Sequence, residues 1–249
     1  MLTPIEPAKG SVDRGPGGFY ASYARFKDYR RPDLQPKHIR RFDRAYWRNA
    51  TLEPGQAVLE IGCGTGQFLA YLAAKGITEL VGIDQDSALG AYLPEAVAPN
   101  FRAVDVFEFL AGGAEGKRFD RVFLIDVLEH FTPDDGHRLL GALSAVLNPG
   151  ARVVVRLPNT GSPWGGAYQW GDLTHRAAYN PISLRQLALA ADYGVVAVHP
   201  VLEGSPFRQA ADRMLQGLLG RILMTPPEIW TANFVAVLEK REGPPVGAL

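Results

Sequence analysis

The sequence predicts an α/β fold in which a mostly parallel sheet lies between two layers of helices. Three observations carry this. Strand-like and helix-like periodicities alternate from residue 57 to residue 192. Several strand-like runs are apolar throughout, as in Val122-Phe123-Leu124-Ile125, the pattern of a strand covered on both faces. The first run empties into a turn with glycine at three alternate positions, Gly62-Cys63-Gly64-Thr65-Gly66, before a helical pattern begins.

The elements follow in order. Residues 1–18 are rich in Gly and Pro and are expected to pack loosely. From Phe19 to Trp47 aromatic and basic residues interleave, and Ile39, Phe42 and Tyr46 share one helical face opposite Arg40, Arg41, Arg44 and Arg48. Residues 1–50 are thus read as a basic, aromatic, helical segment forming part of the substrate site, with Tyr23 a substrate-side candidate. Glu53-Pro54-Gly55 is a turn. Strands are expected at 57–61, 80–84, 101–104, 119–125 and 151–157, and helices at 67–75, 86–93, 133–147 and 183–192. Thr132-Pro133-Asp134-Asp135 supplies an N-cap, a proline at the first helical position and acids in the first turn. Ser183-Leu184-Arg185-Gln186 reads as a capping box, with Ile182 and Leu187 as its staple. Two β-rich runs close the chain, 194–199 and 233–240. Between them residues 205–230 read as a helical insertion with an apolar face, suited to a lid, a homodimer surface or a membrane-surface contact, its few charges favouring the first two. The domain is therefore placed at 51–241, with a flexible tail at 242–249.

Composition bounds the function. A chain of 249 residues, 47% hydrophobic and 21% charged, supports one well-buried core. Net charge is zero, but residues 1–50 hold eleven Lys/Arg against five Asp/Glu. The single cysteine, Cys63, excludes an internal disulfide or a multi-cysteine metal site. Neither a signal-peptide pattern nor an apolar run long enough to span a bilayer is present, so a cytoplasmic protein without a transmembrane segment is expected.

The glycine turn marks a ligand site. Without Cβ atoms, its backbone admits close approach of a ligand near a helix start. It is not the dinucleotide fingerprint, because Gln67 stands where that pattern needs glycine, and the Gly-Lys-Ser/Thr of a Walker loop is absent. Glu60 sits inside an apolar strand, where a carboxylate is costly unless it finds donors. Asp84 ends the second strand, where an acid accepts from ribose hydroxyls or caps the following helix. Asp105 follows the third strand, and Asp126 ends the fourth.

Together, the glycine turn, Asp84, Asp105 and Asp126-Val127-Leu128-Glu129-His130 resemble the ordered motifs of class I S-adenosylmethionine-dependent methyltransferases. The resemblance spans roughly residues 55–200. It implies a Rossmann-like three-layer sandwich whose seven-stranded sheet is mostly parallel, with the last strand antiparallel. It also implies S-adenosylmethionine as cofactor and S-adenosylhomocysteine as product. The cofactor residues it implies are Glu60, Gly62, Cys63, Gly64, Gly66, Asp84, Gln85, Asp105, Val106, Asp126 and Val127. The segment from His175 to Leu184 is similar to the substrate region of bacterial methyltransferases acting on glycans, quinones and other metabolites.

A hydroxyl acceptor needs a proton removed, and histidine is tuned for that near neutral pH. His175, with Asp172 as a possible orienting acid, and His130 are the candidates; the alternative is that both build the pocket wall. Asn159 leaves the fifth strand on the substrate side, and Trp164, Tyr168 and Trp170 either stack on substrate or plug the open side of the domain; the resemblance of the His175–Leu184 segment implies Tyr179 as a further substrate residue. No metal-binding pattern is evident, and no metal is expected. The leading expectation is methylation of a small molecule, at the oxygen of a sugar or an aromatic or specialised metabolite. The alternatives are a nucleic-acid or protein methyltransferase, favoured by the basic N-terminus, and a noncatalytic cofactor-binding partner. Neutral total charge makes a nucleic-acid partner the weaker expectation.

Overall fold

The computed structural model describes residues 29–241; the expectations placed on Tyr23 and on the tail from residue 242 lie outside these residues. Seven strands form one sheet: β1 (Val58–Ile61), β2 (Leu80–Asp84), β3 (Phe101–Ala103), β4 (Phe119–Ile125), β5 (Leu147–Pro158), β6 (Tyr193–Pro200) and β7 (Asn233–Lys240). Their spatial order is β3-β2-β1-β4-β5-β7-β6. The first five are parallel, and β7 inserts antiparallel between β5 and β6. This is the Rossmann-like sheet that the strand pattern and the resemblance implied.

The apolar strands are buried on both faces because two cores flank them. Leu59, Ile61, Val122, Leu124, Val153 and Val155 face one core, while Val58, Phe123 and Val154 face the other. Alternate residues along each strand thus serve opposite layers.

Helix α1 (Pro36–Phe42) runs into a π-turn at Asp43–Trp47 and packs on α2 (Gln67–Ala74). Phe42 and Tyr46 point inward onto Phe68, Tyr71 and Phe123, with Phe68 and Phe123 centroids 4.9 Å apart. Arg40, Arg41, Arg44 and Arg48 stay exposed. The Tyr71 hydroxyl donates to Asp43 at 2.7 Å, and Lys75 pairs with the same carboxylate at 3.0 Å, joining α1 to α2.

Several expected boundaries move. The helix expected at 86–93 is a 3₁₀ segment, Ser87–Tyr92, capped by Asp86, which accepts from the Ala88 N–H at 3.0 Å. Helix α3 (Val106–Ala111) was not foreseen. Helix α4 (Pro133–Leu143) starts at the Thr132 cap as expected. It stops before residue 147 because Leu147 already pairs with Phe119 as the start of a longer β5. Helix α5 (Gly166–Trp170) occupies the aromatic loop. Helix α6 (Pro181–Ala190) is capped by Asn180, not Ser183. The Asn180 carboxamide oxygen accepts from the Ile182 and Ser183 N–H groups, and Ser183 Oγ accepts from the Asn180 N–H. Ile182 is exposed, so the expected staple does not form. Helix α7 (Pro206–Ile222) buries none of its residues; Phe207, Met214, Leu218 and Ile222 all face outward. Among the described residues no helix is long and apolar enough to cross a membrane.

Candidate active site

The carboxyl ends of β1, β2 and β4 converge where open α/β sheets place ligands. Gly62, Gly64 and Gly66 all have positive φ, +68°, +54° and +78°. Their surroundings differ. A Cβ on Gly62 would lie 2.5 Å from Val127 Cγ2, and one on Gly66 would lie 2.6 Å from Leu93 Cδ2. A Cβ on Gly64 would meet nothing within 4 Å. Packing therefore requires two of the glycines, while the third lines open space.

The turn is fastened to β2. The Gly62 and Cys63 N–H groups donate to the Ile83 carbonyl at 2.8 and 3.1 Å. Asp84 accepts from the Gly64 N–H through Oδ2 at 3.1 Å and from the Asp86 N–H through Oδ1 at 3.0 Å. Burial raises its pKa, although these N–H donors oppose the shift. Glu60 is buried, and its Oε2 has no hydrogen-bond partner among the described residues. Burial and then the charge of Asp84 push its carboxyl well above the ordinary range, against the donating Leu69 N–H. Cys63 is buried, which drives its thiol pKa upward. Gln85 is exposed at the same rim.

Asp105 caps α3, its Oδ1 accepting from Phe107 and Glu108 N–H groups at 2.8 and 3.4 Å, while Val106 packs into the core. Tyr29, which the sequence reading passed over, stands beside this rim. Its phenol is pushed up to about 12 by burial and by the charges of Asp84 and Asp86.

Asp126 ends β4 in the left-handed region, at φ +56°, and its carboxylate is paired with the Arg156 guanidinium. Burial works against the charge on Arg156, yet Asp126, the most strongly interacting neighbour, holds its pKa above the usual value. Glu203 lies 3.7 Å from the same guanidinium. Arg156 was missed because nothing local in its strand distinguishes it from a solvated basic residue.

Beyond Val127 the chain makes a single 3₁₀ turn, Leu128–His130. This turn brings His130 against His175, the rings 4.7 Å apart and nearly perpendicular. The two histidines proposed from distant positions therefore share one site. His175 Nδ1 contacts the Gln169 carbonyl at 2.8 Å. A carbonyl only accepts, so Nδ1 carries the proton and Nε2 the lone pair. The Thr174 hydroxyl donates its one hydrogen to Asp172 at 2.5 Å and lies 3.0 Å from His130 Nδ1. It must accept from that nitrogen, which fixes the same tautomer on His130. Asp172 thus orients His130 through Thr174, a connection the sequence did not disclose.

Glu129 lies behind the pair, fully buried, its carboxylate oxygens without a hydrogen-bond partner on any other described residue and with only its own backbone N–H as a weak donor. Burial first, then the charge of Asp126, pushes its carboxyl well above the ordinary range. Tyr179 is buried nearby, its phenol pushed up to about 12 by burial and the charge of Glu129. Asn159 corrects an expectation. It is fully buried, its amide donating to the Ile229 and Thr231 carbonyls and its oxygen accepting from the Gly161 N–H, so it braces a loop and presents nothing to substrate. Trp164, Tyr168 and Trp170 are exposed on or beside α5.

A family model described as "Methyltransferase domain" matches residues 26–198. The chain is similar to an uncharacterized methyltransferase of Synechocystis sp., 34% identical over 44% of this chain and 50% of that protein. A tRNA U34 carboxymethyltransferase of Azotobacter vinelandii is 33% identical over 41% of this chain and 32% of that protein. A ubiquinone biosynthesis O-methyltransferase of Hahella chejuensis is 33% identical over 39% and 41%. The matches thus span half or less of these relatives. Among solved structures, a SAM-dependent methyltransferase of Archaeoglobus fulgidus superposes with a TM-score of 0.61 at 21% identity, covering 90% of this chain and all of that one. At that identity the likeness speaks to the fold.

Proposed function

Since the chain belongs to the methyltransferase-domain family, we propose that it moves the methyl group of S-adenosylmethionine to a hydroxyl of a small molecule, a sugar or an aromatic or specialised metabolite. One observation carries the reading: open space over Gly64, bordered by the acceptors of Asp84, lies at the same end of the sheet as two imidazoles fixed with their Nε2 lone pairs available for chemistry. The residues present fit the cofactor. Gly62, Cys63, Gly64 and Gly66 make a cradle that a single added methyl at Gly64 would fill. Glu60 holds an orphaned carboxylate oxygen behind it. In this reading Asp84 takes the ribose hydroxyls, Asp105 and Val106 flank the adenine, and Gln85, Asp126 and Val127 complete the rim.

When bound, S-adenosylmethionine supplies a methyl already activated on a sulfonium. The chain must align the acceptor, exclude water and remove a proton. His175 is the better placed base, since the Gln169 carbonyl locks its tautomer, and His130 is held in parallel by Thr174 and Asp172. Trp164, Tyr168 and Trp170 are assigned to the acceptor's ring, with the buried Tyr179 as a further substrate-side residue.

A screen for transfer of labelled methyl tests the proposal, run over sugars, nucleotide sugars, phenols and quinone precursors, with bulk tRNA as a separate arm. The relative from Azotobacter vinelandii favours the tRNA arm as a second reading. Label in a small hydroxylated acceptor supports the first reading. Label confined to tRNA overturns it in favour of the second.

A further inference from the structure

We propose that Glu129, His130 and His175 form a binding site for a borderline divalent cation of the zinc, cobalt or nickel type. Each residue offers one ligand atom, and these atoms all lie within 4.8 Å of one another. Ligands held about 2.0–2.2 Å from one ion are at most about 4.4 Å apart, and about 3.5 Å in a tetrahedral site, so the site closes with shifts of under about 1 Å per side chain.

The surroundings are those of a prepared site. Metal-binding histidines characteristically donate their second ring N–H to a carbonyl or to a carboxylate-linked group. His175 does so to the Gln169 carbonyl, and His130 does so to Thr174, which is in turn held by Asp172. In the neutral rings these contacts occupy Nδ1 and leave Nε2 to serve as the ligand atom. The third group supplies the independent observation. Glu129 is completely buried, and both its oxygens lack a hydrogen-bond partner on any other described residue. Such an orphaned carboxyl is costly unless something outside the chain satisfies it. His130 and His175 are partly exposed, leaving a way in for an ion.

Two imidazoles and one carboxylate favour a borderline ion over calcium or magnesium, which prefer oxygen ligands. Three protein ligands also leave a coordination position open, the arrangement of a catalytic ion rather than a structural one. With the ion bound, the imidazoles would hold it instead of taking a proton, and the ion would acidify an oxygen on its open position. The ion would take over the proton-removal role given above to His175 but would change neither the cofactor nor the acceptor, and its binding is read without turnover, so ion binding can fail while that proposal stands, and the reverse.

The test uses the full chain, stripped with a chelator and titrated with Zn²⁺ by calorimetry and with Co²⁺ by visible absorption. One Zn²⁺ per chain is expected, with a Co²⁺ band more intense than that of the aqueous ion. Glu129→Gln and His175→Ala should each weaken Zn²⁺ binding by about a hundredfold or more. Thr174→Val, which keeps the shape but removes the acceptor for His130, should weaken it by about tenfold to a hundredfold. Failure of the stripped wild-type protein to bind Zn²⁺ would overturn the proposal. So would wild-type Zn²⁺ affinity in His175→Ala or Thr174→Val, which also decides the matter if Glu129→Gln does not fold.

Discussion

Replacing Gly64 with alanine should cost little stability and much cofactor affinity, whereas Gly66→Ala should be dominated by lost stability. Both glycines have positive φ, +54° and +78°, so alanine at either carries left-handed strain of about 1–2 kcal/mol. At Gly64 that is the whole cost, because no atom lies within 4 Å of the new methyl. At Gly66 the methyl would sit 2.6 Å from Leu93 Cδ2, with Pro94 and Val97 at 3.6 Å. Overpacking of this kind adds about 1–3 kcal/mol, giving roughly 2–5 kcal/mol in all. Against a total stability of about 5–15 kcal/mol, the difference is measurable. Urea denaturation followed by circular dichroism reads the stability change, and calorimetric titration with S-adenosylhomocysteine reads the binding. Gly64→Ala should lose at least about tenfold in affinity, or 1.4 kcal/mol, with the smaller fall in stability. Wild-type affinity in Gly64→Ala would refute the reasoning, since the open space over that residue would then not receive the ligand.

Asp84→Asn should weaken S-adenosylhomocysteine binding by about 1–3 kcal/mol, the cost of a lost charged acceptor; the asparagine oxygen can still accept one of the loop N–H groups that Asp84 holds, and unchanged calorimetry would reduce Asp84 to a loop brace. His175→Ala should cut turnover on the native acceptor by about a hundredfold or more while S-adenosylhomocysteine affinity stays within about threefold, an outcome common to a base and to an ion ligand; near-full turnover would make the histidine structural. Glu60 has a raised folded-state pKa, so its favourable contribution is complete below its ordinary value of 4.5 and is lost as pH rises through the folded value. The stability of the wild-type protein relative to Glu60→Gln should therefore fall as pH increases above about 4.5, and a pH-independent difference in paired urea titrations from pH 4.5 to 8 would sink that account.

The sheet was legible because its evidence is local. Val58 to Ile61, Glu60 excepted, and Val122 to Ile125 are apolar, and the glycines fall where the chain must turn sharply beneath a helix start. The misses involve partners distant in sequence or signals weighed in the wrong order. Asn159 looked like a polar group presented at a strand end, but the carbonyls it binds are 70 and 72 residues away. Arg156 is meaningful only because the topology sets β5 beside β4 and so beside Asp126. The cap of α6 was within reach. Asn180-Pro181 combines a strong capping residue with proline at the first helical position, the same logic that located Thr132. Ser183 won attention only because a glutamine follows three residues later.

The backbone at Asp126 links the glycine turn to the histidine cluster. A non-glycine residue at φ +56° costs about 1–2 kcal/mol, and glycine would remove that strain. Glycine would also remove the carboxylate that holds Arg156. The left-handed residue stands between β4 and the 3₁₀ turn Leu128–His130. Val127 is turned against Gly62, so close that a methyl on that glycine could not fit. Three residues later His130 meets His175, with Glu129 buried behind them. One strained residue therefore aims two consecutive stretches of backbone, the first at the glycine turn and the second at the imidazoles. Strain of this size persists where surrounding contacts over-determine it, and such positions concentrate at functional sites. The Asp126–Arg156 pair and the Asp126 N–H bond to the Arg156 carbonyl at 3.1 Å are those contacts. In the proposed reading, the spacing between the glycine turn and His130 is thus set by the turn that follows β4.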